Sequence, residues 1–553
     1  MISEYLDRTY VLSETRGQRD WLMALKKRAQ HRDKEVLAKL RALGITLSQI
    51  DRVIEAMDDA LARAKNDKKH PQGAPYIPRD PVTCGLQAGL TRISLEHGLV
   101  EANPHAAQTT PSRRSLTRGQ GGRSHATDAT PALRLRKKVR DGVKTRKAAG
   151  GARAPFIEGE DPLYALDGFK AKFGSLFTRR RAFNSRPARA ASTDKSLTLF
   201  VFGDWGTGLG PATEVTKRIG EQLRTSEGDR QLHVIHLGDV YYVGESDEYA
   251  ERVLPYWPEP AVRSKVIGSW SLNGNHDMYS GGHGYFDALL RQDFMLRWHG
   301  DERGEPSSFF LIENRDWQVF GLDTSWNLPS LGSAIFGEPT LKDYGGQNGL
   351  LTREQVKWMA GQRNLAKGCI LLTHHQPAAS RTSESQHADD AVAMLKSARI
   401  YSLIDAWIWG HEHRCVVFKP RAERTTRRLK DAPDFCACLG NAGVPVTQKN
   451  FEANSRISDV LWEEDRLDGG APLYEGQRVL PFGFGRIDTR PGAFTFRVFD
   501  HTGQQRYEHE VNRSTADTPA RSRSRGIVKA SAAETKAKRK VTKKPSRSLP
   551  PNP

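Results

Sequence analysis

At 553 residues the chain exceeds one ordinary domain, and its 37% hydrophobic content is low for a wholly globular protein of that size, so regions of unequal order are expected. The net charge of +19 is unevenly spread: residues 101–195 carry +13 and 512–553 carry +10, whereas 1–100 carry +4 and 196–511 carry −8. No run approaches the ~20 apolar residues of a membrane span, Met1-Ile2-Ser3-Glu4-Tyr5 lacks the basic start and apolar stretch of a signal peptide, and five cysteines without framework spacing exclude a disulfide scaffold. A soluble cytoplasmic protein is the expectation.

In residues 1–100, Leu22, Leu25, Ala29, Val36, Leu37 and Leu40 recur at helical spacing. Gly44 punctuates, and Ser48-x-x-Asp51 resembles a capping box before Ile50, Val53, Ile54, Met57 and Leu61. A helical hairpin over 8–65 is predicted, packed on the main domain or engaging a partner. Residues 101–195 are rich in Ser, Thr, Gly, Ala, Arg and Lys, and from about 104 to 152 hardly an aromatic occurs. Such a segment cannot bury enough apolar surface to offset its ordering entropy, so a largely disordered basic linker is expected. Residues 512–553, with basic clusters from Arg521 to Arg525 and from Lys536 to Lys540, read as a disordered basic tail. Both arms suit nonspecific, salt-dependent polyanion contact, but they lack the interleaved aromatics of a nucleic-acid module.

Between the arms, residues 196–511 alternate strand and helix. Strands are predicted at 197–202, 232–237, 266–272, 308–312, 317–322, 369–373, 406–409, 435–439, 482–487 and 493–499, and helices at 211–225, 246–254, 284–297 and 352–363. Five short motifs each follow a strand: Gly203-Asp204-Trp205-Gly206, Gly238-Asp239-Val240-Tyr241-Tyr242, Gly274-Asn275-His276-Asp277, His374-His375 and Gly410-His411-Glu412-His413. One Asp after a strand is a common turn residue. Five such motifs in series place oxygen and imidazole donors where an α/β sheet gathers its site, and imply a multinuclear metal centre.

In order and type these motifs resemble the metallophosphoesterase (calcineurin-like phosphoesterase) superfamily, and within it the purple acid phosphatase branch, with GDxG, GDxxY, GNH(D/E), VxxH and GHxH; Leu371 stands in place of the Val. Gly206 stands where most of the superfamily has a ligand His, and Tyr242 lies three residues after Asp239, as the branch's iron-binding Tyr does. The resemblance covers roughly 197–418 and implies an α/β fold, an α/β/β/α sandwich. It implies that Asp204, Asp239, Tyr242 and His413 hold a first ion, ferric in the family. Asp239, Asn275, His374 and His411 would hold a second, Fe, Zn or Mn, with Asp239 bridging. It further implies cleavage of phosphate monoesters by in-line attack of a metal-bound hydroxide, with phosphodiester cleavage at the same site as an alternative; the basic flanks themselves offer a different one, polyanion or nucleic-acid binding with the catalytic domain secondary.

The donor types agree with that implication. A shared carboxylate can hold two cations within ~4 Å, the spacing at which both neutralise phosphoryl oxygens. A phenolate at Tyr242 favours a trivalent ion, and Asn275 with two imidazoles a divalent one. His276 is placed as proton donor to the leaving group, with Asp277 as its supporting carboxylate. His375 is left for substrate contact. His283 and His387 read as solvated loop residues, His233 and His236 as structural, and Asp323 takes no catalytic role. Cys436 and Cys438 alternate onto one strand face, and without a second pair they make a poor zinc site. Since no expected ligand is missing, a catalytically dead scaffold is disfavoured.

Overall fold

The computed structural model describes residues 8–66 except 43–44, residues 84–89 except 86, and residues 180–513 except 227, 259–266, 329–348, 382–387, 448–454, 467–472 and 475–476. The expected linker up to 179, the tail beyond 513 and His387 lie outside the described residues.

The N-terminal region forms three helices where a hairpin was expected: α1 (Arg8–Gln30), α2 (Lys34–Ala42) and α3 (Leu47–Asn66). The first break falls at Arg32, which takes a positive φ of 60°, and at Asp33, whose carboxylate accepts the Val36 amide at 3.2 Å and starts α2. α3 opens on a reciprocal pair two residues earlier than Ser48-x-x-Asp51. The Gln49 amide donates to Thr46 Oγ1 at 3.2 Å, and the Thr46 amide donates to Gln49 Oε1 at 2.7 Å. Leu22, Leu25, Val36, Leu40, Ile50, Val53 and Met57 are buried together, as the periodicity requires.

Sixteen strands follow among the described residues: β1 (Ala191–Ser192), β2 (Ser196–Phe202), β3 (Arg230–His236), β4 (Ile267–Ser271), β5 (Phe310–Glu313), β6 (Trp317–Gly321), β7 (Gly368–Thr373), β8 (Ala406–Trp409), β9 (Cys415–Phe418), β10 (Phe435–Leu439), β11 (Val460–Glu463), β12 (Leu473–Tyr474), β13 (Gln477–Arg478), β14 (Gly483–Arg490), β15 (Ala493–Asp500) and β16 (Gln505–Asn512). One sheet runs β16-β15-β14-β2-β3-β4 and the other β1-β5-β6-β7-β8-β10-β9-β11. In the first, β2, β3 and β4 are parallel; in the second, β6, β7, β8 and β10 are. Residues 188–192 already join the second sheet, before the expected boundary at 196: Ala188 donates to the Phe309 carbonyl at 3.0 Å and β1 pairs with β5.

Alternation along each strand builds the layers. Leu197, Leu199 and Val201 of β2 share a core with Phe310, Val319, Ile370 and Ile408 of the other sheet. Phe200 and Phe202 point the other way, onto Ala212, Val215, Ile219 and Leu223 of helix Gly210–Thr225. On the far side Leu371, Trp407 and Cys438 meet Met359 and Leu395 of helices Arg353–Gln362 and Asp389–Ser397. The result is the expected α/β/β/α sandwich, with each buried large apolar side chain worth about 1.5–3 kcal/mol. Cys436 and Cys438 do share one face, but their thiols sit near the Pro433 and Gly410 carbonyls at 3.3 and 3.4 Å, and both cysteines are free. No helix among the described residues is long and apolar enough to cross a membrane.

Two histidines are locked into the core as neutral rings. His233 Nδ1 accepts from Trp270 Nε1 at 3.1 Å, and His299 Nε2 accepts the Ser271 amide at 2.9 Å. Burial lowers their pKa values from 6.5 to about 3 and about 4. The unfolded chain therefore binds more protons than the folded one as pH drops below about 6.5, and stability falls with it. In the presence of chelator, the urea midpoint is expected to decrease from pH 7 to pH 5; a midpoint that is level or rising over that interval contradicts this account.

Candidate metal centre

All five motifs leave the carboxyl ends of parallel strands. Asp204 follows β2, Asp239 follows β3, Asn275 follows β4, His374 follows β7 and His411 follows β8, so both sheets deliver donors to one edge of the sandwich. Among the described residues six non-glycine positions have positive φ, and four of them are Asp204, Asp239, His411 and His413. Such conformations cost on the order of 1–3 kcal/mol each and persist where surrounding contacts impose them. Here the Asp204 amide donates to the Gly238 carbonyl at 2.9 Å, and the His411 amide to Asp204 Oδ2 at 2.7 Å.

Two clusters of donor atoms result. In one, the Tyr241 hydroxyl lies 3.2 Å from Asp204 Oδ1, 3.2 Å from Asp239 Oδ2 and 2.9 Å from His413 Nε2, with His413 Nε2 3.3 Å from Asp204 Oδ1. In the other, His374 Nε2 lies 3.1 Å from Asn275 Oδ1, 3.2 Å from His411 Nδ1 and 3.3 Å from Asp239 Oδ2. Donors held about 2.0–2.2 Å from one ion stand roughly 3.0–3.5 Å from one another, so each cluster fits a single cation. Asp239 Oδ2 belongs to both.

Charge points the same way. Asp204 and Asp239 are 0% and 1% exposed, and no Lys or Arg among the described residues pairs with either. Buried carboxylates without a permanently charged partner are costly to desolvate, a cost that a bound cation offsets. At His374 burial opposes a charged ring, yet the Asp239 carboxylate outweighs it and raises the pKa to about 9. The pocket draws positive charge.

The structure revises two expected roles. The phenol at the carboxylates is Tyr241, not Tyr242; the peptide bond between them is cis, and the Tyr242 hydroxyl instead accepts from Gln87 Nε2 at 2.9 Å. Asp277 does not support His276. Its carboxylate accepts the amides of Asp239, Val240 and Gly274 at 2.8, 3.1 and 2.6 Å and is also bonded by the Tyr249 hydroxyl, so it pins the β3 and β4 loops together. Burial, with the Asp239 charge, lifts its pKa to about 7. His276 is oriented by the Tyr242 carbonyl, 2.7 Å from its Nδ1, and its ring lies against Tyr241 with centroids 4.3 Å apart. His375 is buried beside His374 and His411.

Other placements follow their dull readings. His283 is half-buried with its side chain 43% exposed and paired with Asp287 at 3.2 Å, and Asp323 accepts the Ser325 and Trp326 amides at 2.9 and 2.8 Å. Gly274 admits no side chain, since a Cβ there would stand 2.0 Å from Asp239 Oδ1. Residues 84–89 carried no signal for the site. Nevertheless Cys84 is buried with its sulfur 3.9 Å from His276 Nδ1, and Gln87 caps Tyr242, so a segment over 100 residues upstream packs behind the centre.

Residues 197–415 match the family model described as calcineurin-like phosphoesterase. No curated protein matches the chain in sequence. Among solved structures the chain is similar to GAP50, the anchor in the inner membrane complex of Plasmodium, at 13% identity, covering 59% of this chain and 91% of that one with a TM-score of 0.37. It is similar to the purple acid phosphatase PPD1 from yellow lupin (Lupinus luteus) seeds at 12% identity, covering 58% and 54% with a TM-score of 0.38. A dimetal phosphatase from Danio rerio gives 11% identity, 58% and 100% coverage, and a TM-score of 0.36.

The two tyrosines can be told apart. In iron-loaded protein, Tyr241→Phe is expected to remove visible phenolate-to-iron absorption, and Tyr242→Phe to leave it. The opposite pattern would put Tyr242 at the ion.

Proposed function

Residues 197–415 form a metallophosphoesterase domain of the calcineurin-like type, and from that premise we propose that the chain is a two-metal hydrolase of phosphate monoesters. The observation that carries this reading is the single oxygen, Asp239 Oδ2, standing within 3.2–3.3 Å of donors from two clusters. In this proposal Asp204, Asp239, Tyr241 and His413 hold one ion, iron where the phenolate binds, and Asp239, Asn275, His374 and His411 hold a second, Fe, Zn or Mn. When bound, such a pair activates water and neutralises the phosphoryl oxygens.

The chain's own groups supply the rest. With His276 Nδ1 donating to the Tyr242 carbonyl, Nε2 is left as the nitrogen that exchanges a proton, and it has no hydrogen-bond partner among the described residues. A proton held at Nε2 suits delivery to the departing alkoxide, a step worth roughly 10²–10⁴-fold. Asp239 Oδ1 accepts the His276 amide at 2.9 Å, which ties the proton donor to the bridging carboxylate. Narrow access supports a terminal phosphate. Of the seven first-proposed donors and Tyr241, only His413 exceeds a tenth exposure among the described residues, so a diester flanked by two alcohols fits poorly.

Turnover of an aryl phosphate and of its bis-aryl diester by metal-replete protein tests this reading. The monoester is expected to be cleaved at least about tenfold faster at equal leaving-group pKa, a difference of about 1.4 kcal/mol in barrier. Preference for the diester would make the chain a phosphodiesterase on the same donors, and no turnover of either would overturn the reading.

A further inference from the structure

With His276 assigned to proton transfer, His375 is left at the centre with no role in the proposed ligand sets. Its side chain is fully buried, and its ring lies 4.6 Å from that of His411 and 5.0 Å from that of His374, centroid to centroid. One donor nitrogen from each of His374, His375 and His411 falls within 4.8 Å of the other two. The two nitrogens of His375 differ sharply. Nδ1 stands 3.0 Å from Thr324 Oγ1 and 3.4 Å from Ser325 Oγ, whereas Nε2 is buried with no hydrogen-bond partner among the described residues.

The loop after β6 sets up this asymmetry. Thr324 follows Asp323, whose carboxylate holds the turn by accepting the Ser325 and Trp326 amides. Thr324 Oγ1 also accepts the His375 backbone amide at 3.2 Å, so the same oxygen fixes the ring and the backbone that carries it. Gly349 also approaches the side chain so closely that a Cβ there would stand 2.5 Å from the His375 Cβ. A ring clamped in this way cannot swing to find another partner for Nε2. A buried ring nitrogen without a partner is unfavourable unless something absent from the protein's own atoms occupies it. A histidine whose Nδ1 is held by a hydroxyl and whose Nε2 is buried without a partner, in a ring packed against two other imidazoles, has the arrangement of a metal ligand once Nδ1 carries the proton.

We propose that His375, through Nε2, is a third imidazole ligand of the second ion, and that Thr324 is the positioning residue that fixes its tautomer. This rests on the two-metal reading and deepens it. The second ion would then have His374, His375, His411, Asn275 and the shared Asp239, a nitrogen-rich set that favours a borderline divalent ion such as zinc over manganese. His375 would not touch substrate.

Zinc alone, titrated into the full metal-free chain in competition with a chromophoric chelator, tests the proposal. Wild-type protein is expected to take two ions. His375→Ala is expected to keep one ion at wild-type affinity and to bind the other about 100-fold or more weakly, and Thr324→Val to weaken that same ion by about 10-fold, the loss typical when a ligand's supporting bond is removed. Thr324→Val keeps shape and backbone, so it reports even if His375→Ala fails to fold. Two ions at wild-type affinity in both variants would overturn the proposal while leaving the two-metal reading intact, and a raised KM in His375→Ala would then make it a substrate group. Wild-type protein that binds fewer than two ions would overturn both.

Discussion

The carboxylate of Asp239 is the contact on which the centre depends. Oδ2 stands between the phenol of Tyr241 and the imidazole of His374, and Oδ1 accepts the amide of His276. One side chain thus couples the donors of two sheets and the candidate proton donor. At 1% exposure and with no Lys or Arg paired to it among the described residues, it has an energetic reason to hold metal as well as a geometric one.

The surrounding fold exists to hold that carboxylate in place. β3 carries Asp239 out of the first sheet through Gly238, which takes a φ of 103° and leaves only 2.5 Å between a would-be Cβ and the Gly274 amide. Asp277 then clamps the loops after β3 and β4 by accepting three backbone amides, and Glu248 accepts the amides of Val243 and Glu245 at 3.0 and 3.1 Å just downstream. The strained residues Asp204, Asp239, His411 and His413 gather around the same point. Packing across the two sheets supplies the stability that offsets this strain.

The sequence made the scaffold and most donors legible because both obey local rules. Strand alternation at Leu197, Leu199 and Val201 and donors after strand ends are patterns within a few residues of one another. What escaped was decided by neighbours distant in sequence. Motif spacing selected Tyr242, but Gln87 and the neighbouring Arg252 hold that ring away from the carboxylates, with the Arg252 guanidinium 5.3 Å from its centroid. Asp277 looked like a partner for its neighbour His276, yet amides from the β3 loop claim its oxygens. β16 was missed because its residues lie on an exposed edge, where polar side chains such as Gln505, Glu508 and Glu510 face water and apolar alternation is lost. The predicted helix over 284–297 divides after Leu290, whose amide reaches back to Tyr285, and restarts at Asp293.

Metal stoichiometry of Asp239→Asn is the most direct test of a centre built on one shared carboxylate. Asparagine keeps the shape and can still accept the His276 amide, while the bridging charge is gone. Elemental analysis after exhaustive exchange against weak chelator should find two ions per wild-type chain and both sites depleted in the variant. If Asp239→Asn retained one ion at wild-type occupancy, the two sites would be independent and the shared-carboxylate account would be wrong.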